Sequence, residues 1–268
     1  MRHTSFLLPT IGVLAVSLVP ACGGDDDGAG VTPSVDTGAT TTAGGPDTAA
    51  VIVPGDGGNY QPDVDPANFV AVVDNSYFPM LVGSRWVYEG EADGAAERVE
   101  IVVTDQHKTV MGIAATVVRD SVFVDGELVE DTYDWFAQDR DGNVWYLGED
   151  SQEIARGEVV STEGSWEAGV DGALPGIVMP AKPAVGAAFR QEYYVGEAED
   201  MFEIIDVGGS VEVPAASFED VVTTRDWTPL ESEVIEEKQY APGVGKVREE
   251  QIAGGDDVSE LVEFRPPV

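Results

Sequence analysis

The chain has 268 residues, and its 50 aspartates and glutamates against 14 lysines and arginines give a formal net charge of −36. A chain this acidic lacks the basic surface that phosphate backbones require and is repelled by anionic lipid headgroups, which excludes nucleic-acid binding and electrostatic docking on membranes. One cysteine and two histidines also exclude disulfide-stabilised folds and histidine-rich zinc sites.

Residues 1–21 have the layout of a secretory signal. Arg2 gives a short positive start, an apolar stretch follows, and Ala21 precedes Cys22. The stretch is too short to cross a bilayer comfortably, and a small residue before a cysteine resembles a bacterial lipobox. We predict cleavage before Cys22 and lipidation there by palmitate-type acyl chains, which would anchor the chain in the bacterial cell envelope with its domain outside the cytoplasm. The alternative is an ordinary signal peptide followed by an unmodified cysteine.

The segment 22–67 is rich in glycine, threonine, alanine, proline and aspartate, and Tyr60 is its one aromatic residue. Such a composition cannot bury enough apolar surface to offset the entropy lost on ordering. We predict a disordered tether that begins at the lipidated cysteine.

Residues 68–268 show the alternation of β-strands. Val99, Ile101 and Val103 share one face of a strand, and Asp125-Gly126 is a hairpin turn signal between two β-type runs. No stretch shows sustained helical periodicity. The region therefore predicts one all-β domain, built as an antiparallel curved sheet, a sandwich or a half-barrel.

An internal duplication is indicated at an offset of 103 residues. Val82-Gly83-Ser84-Arg85-Trp86 resembles Val185-Gly186-Ala187-Ala188-Phe189, and weaker matches follow in the same order. The predicted modules are 77–150 and 180–264, joined by a connector at 151–179. The alternative is chance similarity between β-rich segments.

Aromatic residues and carboxylates are mixed between positions 131 and 171, as they are in many sites for sugars and other small ligands. The predicted ligand-binding residues are Trp135, Trp145, Trp166 and Asp171. In strands, such aromatic residues also serve as core or cross-strand pairs. The connector, which carries Trp166, is long and glycine-rich, and it is either a functional loop or a plug over an open end of the sheet.

A weaker signal concerns calcium. Oxygen-bearing side chains stand at positions 1, 3, 5 and 12 of a loop-like run, at Asp139, Asp141, Asn143 and Asp150. The run departs from a calcium loop because Gly142 is at position 4 instead of 6 and the last ligand is not glutamate. A hairpin turn explains the same residues.

Evidence for an enzyme is slight, and no residue is assigned a catalytic role. His107 is the one histidine after the signal segment, and Thr104–Lys108 reads as a polar hairpin tip, a poor support for a catalytic triad. Carboxylates alone suffice for glycoside hydrolysis, so a glycan-acting enzyme stays open.

Two motifs resemble a family of uncharacterised secreted bacterial proteins and lipoproteins. They are Gly83-x-x-Trp86-x-Tyr88 and Tyr240-Ala241-Pro242-Gly243-Val244-Gly245-x-Val247, and the resemblance covers roughly residues 75–264. It implies an extracytoplasmic β-rich domain and no particular activity, with these motifs acting as folding signatures. We therefore expect a lipid-anchored envelope protein that binds an unknown ligand or partner, with a glycan-acting enzyme and a purely structural envelope protein as alternatives.

Overall fold

The structure, a computed structural model, describes residues 60–92 and 94–267. The signal segment, Cys22 and most of the predicted tether lie outside the described residues. The first described residue, Tyr60, is attached to the domain, because its hydroxyl donates to the Pro175 carbonyl at 2.9 Å and its ring packs edge-on against Tyr193. Ordered contacts therefore begin within the segment 22–67 that we assigned to the tether.

The described residues contain one short 3-10 helix and nineteen strands. In chain order these are the helix Pro66–Asn68 and the strands β1 Phe69–Val70, β2 Val73–Asn75, β3 Phe78–Met80, β4 Arg85–Ala92, β5 Ala95–Val110, β6 Ile113–Val124, β7 Glu127–Asp139, β8 Val144–Asp150, β9 Glu153–Ala155, β10 Glu158–Ser161, β11 Trp166–Glu167, β12 Leu174–Met179, β13 Ala188–Arg190, β14 Glu192–Tyr193, β15 Met201–Val213, β16 Ala216–Trp227, β17 Ile235–Ala241, β18 Gly245–Ala253 and β19 Val258–Arg265.

Seventeen strands form one antiparallel sheet, and β2 and β3 form a small second one. Strands β4 to β8 pair in sequence, β15 to β19 do likewise, and β19 pairs with β4 to join the two runs. At the other side β12 pairs with both β8 and β14. The sheet is therefore nearly barrel-shaped, which confirms the prediction of an all-β domain with an antiparallel curved sheet.

Tight turns connect the long strands. Asp125 and Gly126 join β6 to β7 with φ values of 50° and 83°, which confirms the turn predicted there. The turn predicted at Thr104–Lys108 is wrong, because β5 continues to Val110 and His107 pairs with Thr116. The polar run is an exposed part of a long strand, and the chain reverses instead at Met111-Gly112.

The two motifs of the family resemblance meet in the core. The Trp86 indole donates to the Val244 carbonyl at 2.8 Å, and the Tyr88 hydroxyl donates to the Lys246 carbonyl at 2.9 Å. Both rings are 2% exposed, so each polar group needs the hydrogen bond that it makes. The early strand β4 is thereby fixed to the turn that leads into β18.

The two predicted modules begin in a similar way. The N–H of Gly83 donates to a carbonyl of β5 at 2.9 Å, and the N–H of Gly186 donates to a carbonyl of β15 at 2.8 Å. The aromatic residues three positions later differ in their surroundings, because Trp86 is buried in the main core whereas Phe189 is half-buried in a small separate cluster. The duplication stays a prediction.

The connector 151–179 contributes strands to the sheet instead of an unpaired loop. Strand β12 passes so close to the neighbouring chain that a Cβ atom on Gly176 would lie 2.3 Å from the Gln191 backbone. Glycine at this position therefore allows β12 to complete the wall between β8 and β14. Among the described residues, no helix is long and apolar enough to cross a membrane.

Candidate functional site

A groove of about 310 Å³ lies beside strands β7, β8 and β11, a volume at the lower end of the range for small-molecule sites. We call it the Trp135–Trp166 groove after its two indole rings. The polar side chains that line it are Lys108, Glu149, Asp150, Ser165, Glu167 and Asp171. The groove thus combines apolar rings with four carboxyl groups and one ammonium group.

Local backbone geometry places the two indoles. Trp135 lies where the register between β7 and β8 shifts, between Asp134 and Phe136. Trp166 pairs with Glu149 across β11 and β8. A Cβ atom on Gly148 would lie 2.3 Å from the Trp166 carbonyl oxygen, so glycine is required for β11 to approach β8 this closely.

Lys108 already occupies part of the groove. Its Nζ atom lies 3.8 Å from the centroid of the Trp135 ring and 2.8 Å from Oε2 of Glu167. An ammonium ion at this distance from an indole face is attracted by the ring's negative face. The groove therefore contains a seat for a cation, formed by one aromatic ring and one carboxylate.

Glu149 is the most buried acid of the groove, with 2% exposure. Neither of its carboxyl oxygens accepts a hydrogen bond. Burial raises the pKa of Glu149 well above its ordinary value, the charges of Asp134 and Glu192 raise it further, and the nearby Tyr146 hydroxyl offsets this in part. Because burial disfavours the charged form, the raised pKa favours a neutral carboxylic acid.

Three of the four predicted ligand-binding residues meet in this groove, namely Trp135, Trp166 and Asp171. Trp145 lies elsewhere, because its ring packs edge-on against Phe69 and its indole donates to Asp139. Sequence reasoning missed Lys108 and Glu149. The alternation in β5 could have placed Lys108 on the face of Val110, two residues away, but the contact with Trp135 depends on the register between strands.

The residues predicted for calcium do not converge. Asp139 accepts hydrogen bonds from the backbone and side-chain nitrogens of Asn143 at 2.9 and 2.8 Å, which is the geometry of a closed turn. Asp150 stands at the opposite end of β8 and lines the groove instead. Within residues 60–92 and 94–267, no three aspartate, glutamate, histidine or cysteine side chains are arranged to hold a metal ion.

A second cavity lies inside the curved sheet and measures about 50 Å³, the space of about two water molecules in the liquid. Phe78, Trp86 and Tyr240 line its apolar side, and Asp134 and Lys238 are among the groups on its polar side. An acyl chain does not fit in this volume. The cavity therefore gives no support to a lipid-carrying role.

Beside this cavity is the interior ion cluster, defined as Asp226, Glu236, Lys238, Lys246 and Glu249. The Lys238 ammonium lies 3.2 Å from Glu236, 3.6 Å from Asp226 and 3.9 Å from Glu249. Gln191 donates a further hydrogen bond to Asp226 at 2.9 Å. Lysine and glutamate are seldom buried unless they are paired, so the cluster's stability depends on its cations.

The pKa values in the cluster follow from burial and from Lys238. Burial lowers the pKa of Lys238, but its three carboxylate neighbours outweigh burial and raise the pKa well above the ordinary value. Burial raises the pKa of Glu236 to about 8. For Glu249 burial acts in the same direction, yet Lys238 and Lys246 prevail and the pKa is lowered.

No family model and no curated protein matches the sequence. Two solved structures are similar in part. One is a predicted exported protein with a YmcC-like fold from Bacteroides fragilis, at 19% identity and a TM-score of 0.42 over 72% of this chain and 100% of that chain. The other is a predicted lipoprotein from Parabacteroides distasonis, at 16% identity and a TM-score of 0.35 over 71% and 99%. At this degree of similarity, neither protein's properties are carried over to this chain.

Proposed function

We propose that the protein is a lipoprotein of the bacterial cell envelope, anchored through acyl chains on Cys22, whose β domain binds a small ligand in the Trp135–Trp166 groove without catalysis. The observation that carries this proposal is the meeting of Trp135, Trp166 and Asp171 in one open groove of about 310 Å³. The interior cavity, at about 50 Å³, is smaller and lies inside the curved sheet, so the groove is the better candidate of the two.

The chemistry of the groove suits recognition. Its two indole rings, of which Trp135 is 6% and Trp166 4% exposed, give the groove a small apolar area. The acids around them provide hydrogen-bond acceptors and negative charge. Ligand sites in general combine an apolar lining with a few polar groups that set orientation. Strands β7, β8 and β11 carry the two indoles and the acids Glu149, Asp150 and Glu167, whereas Asp171 lies in the turn between β11 and β12. Sites supported by strands hold their geometry better than sites on loops.

A glycan-acting enzyme is the second candidate, and one observation favours it. Glycoside hydrolysis needs a protonated carboxyl group on one side of the bond and an ionised one on the other. Glu149, with its raised pKa, fits the first role, and Asp150, Glu167 and Asp171 are further carboxyl groups in the same groove. Chromogenic glycosides test this directly. Turnover that is lost in Glu149→Gln would favour the enzyme, and a lack of turnover by the folded protein would favour binding alone.

Ligand binding is tested by a thermal-shift screen of the full chain, purified in detergent, against small sugars, amino acids, amines and short peptides. A compound that binds only the native state raises the melting temperature. We expect at least one such compound, and we expect its effect to be lost in Trp135→Phe and Asp171→Asn but kept in Trp145→Phe, since Trp145 lies outside the groove. A hit that is insensitive to both groove variants would contradict the proposed site.

The anchor is tested separately. Cys22→Ser should abolish incorporation of labelled palmitate and move the protein from the detergent phase to the aqueous phase, because the acyl chains provide the membrane affinity. Unchanged partitioning of Cys22→Ser would overturn the lipoprotein assignment without affecting the groove.

A further inference from the structure

The groove already shows what kind of group it can hold. The Lys108 ammonium is seated 3.8 Å above the Trp135 ring and 2.8 Å from Glu167. Lys108 lies near the end of β5, on a flexible four-carbon side chain that is about one-third exposed. It can therefore leave its seat without any change in the backbone.

The charge balance of the groove favours a cationic ligand. Asp150, Glu167 and Asp171 line the groove, and Lys108 is the one cationic side chain among the lining residues. Lys108 is paired with Glu167. These acids would attract a positive ligand, since opposite charges at short range attract most strongly where water is partly excluded.

Glu149 contributes little to the negative field of the groove. It is 2% exposed, and burial raises its pKa and favours the neutral acid. A ligand in the groove would meet Asp150, Glu167 and Asp171 instead.

We propose that the groove selects a small organic cation, an alkylammonium compound, which takes the seat on Trp135 beside Glu167 and displaces Lys108. This rests on the proposed function of the groove and names its ligand class. Lys108 is an internal competitor, because its ammonium occupies the same ring and the same carboxylate. The tryptophan face and the acids are the selective elements, because neutral compounds of the same shape lack the positive charge that both attract.

The variants follow from these roles. Lys108→Ala removes the competitor and should tighten binding of an alkylammonium ion by roughly three- to thirtyfold, the range expected of one cation–π contact. Glu167→Gln and Trp135→Phe should weaken it. His107→Ala is the matched control, because His107 is exposed and adjacent to Lys108 on β5, where successive side chains point to opposite faces.

The experiment is calorimetric titration of the full chain in detergent with choline and n-butylammonium, and with 3,3-dimethylbutan-1-ol as the uncharged analogue of choline. We expect one of the two cations to bind at least tenfold more tightly than the alcohol, with Lys108→Ala tighter and His107→Ala unchanged. Binding of both cations that is no tighter than binding of the alcohol would overturn the inference, and so would a Lys108→Ala variant that binds the preferred cation no more tightly.

Failure of the inference is distinguishable from failure of the proposed function. If both cations fail to bind but a neutral sugar raises the melting temperature in a Trp135-dependent way, the cation inference is overturned and the ligand-binding groove stands. If no compound of any class acts through Trp135 or Asp171, both are overturned. Trp135→Phe keeps an aromatic ring in the core, so its folding can be checked by the unfolding midpoint before any titration.

Discussion

Replacing Lys238 by methionine removes the cation on which the interior ion cluster depends. Lys238 is 8% exposed and its ammonium lies within 3.9 Å of three carboxylates. Removal of one partner from a buried ion pair costs about 3–5 kcal/mol, because the remaining charge is left buried without compensation. We expect a loss of this size in the free energy of unfolding at pH 8, out of the roughly 5–15 kcal/mol typical of a domain.

The loss should depend on pH in a defined direction. Without Lys238, Asp226 avoids an unpaired buried charge by taking up a proton, whereas Glu236, whose pKa is about 8 beside Lys238, already holds its proton over most of the range between pH 5 and pH 8. Holding one carboxyl group neutral costs about 1.4 kcal/mol for each pH unit above its ordinary pKa, so the cost falls by about 4 kcal/mol between pH 8 and pH 5. We therefore expect Lys238→Met to lose only about 1 kcal/mol at pH 5.

The assay is urea denaturation of the wild type and of Lys238→Met at both pH values. Lys182→Met is the matched control, because Lys182 is exposed, and surface changes of this kind stay within about 0.5 kcal/mol. A loss below about 1 kcal/mol at pH 8, or an equal loss at pH 5 and pH 8, would refute the reasoning about the cluster.

Three further predictions concern the whole domain. Trp86→Ala should lower the free energy of unfolding by about 3–5 kcal/mol, and Phe189→Ala should lower it by about half as much, because Phe189 is only half-buried. Equal losses in urea denaturation would show that the surroundings of the two residues are equivalent. The melting temperature should fall from pH 5 to pH 8. Burial raises the pKa of Glu97 to about 8 and that of Asp134 to about 7, so in this range the folded state binds protons that the unfolded state has released. A melting temperature that rises with pH would contradict this. Deletion of residues 23–59 should leave the melting temperature unchanged, and a fall of several degrees would show that this segment packs on the domain.

The strands and turns could be predicted because they depend on local patterns. Alternation identified the strand that contains Val99, Ile101 and Val103, and Asp125-Gly126 gave a turn because both residues adopt positive φ. Strand β12 was missed, since Pro175 and Gly176 interrupt its apolar run. Its place in the sheet depends on β8 and β14, which lie far from it in sequence.

The interior ion cluster could not be predicted for a related reason. In β17 the run Glu236-Glu237-Lys238-Gln239 is polar on both faces, so alternation does not reveal which face is buried. The pairing with the neighbouring strands decides this, because Glu236 lies opposite Asp226 of β16 and Lys238 lies opposite Glu249 of β18. The same limit applies to the groove, where composition indicated Trp135 and Trp166 but only the register between strands brings Lys108 and Glu149 beside them.

Ligand binding in the proposed Trp135–Trp166 groove is tested most directly by the indole N–H spectrum of the ¹⁵N-labelled protein. The spectrum is recorded during titration with the hits of the thermal-shift screen. The chain has five tryptophans, and two of them lie in the groove. The indoles of Trp86 and Trp145 are held by internal hydrogen bonds at 2.8 and 2.9 Å and serve as references. We predict that a ligand moves the Trp135 and Trp166 signals and leaves the references in place. Ligand-dependent shifts of the references, with Trp135 and Trp166 unmoved, would contradict the assignment of the site.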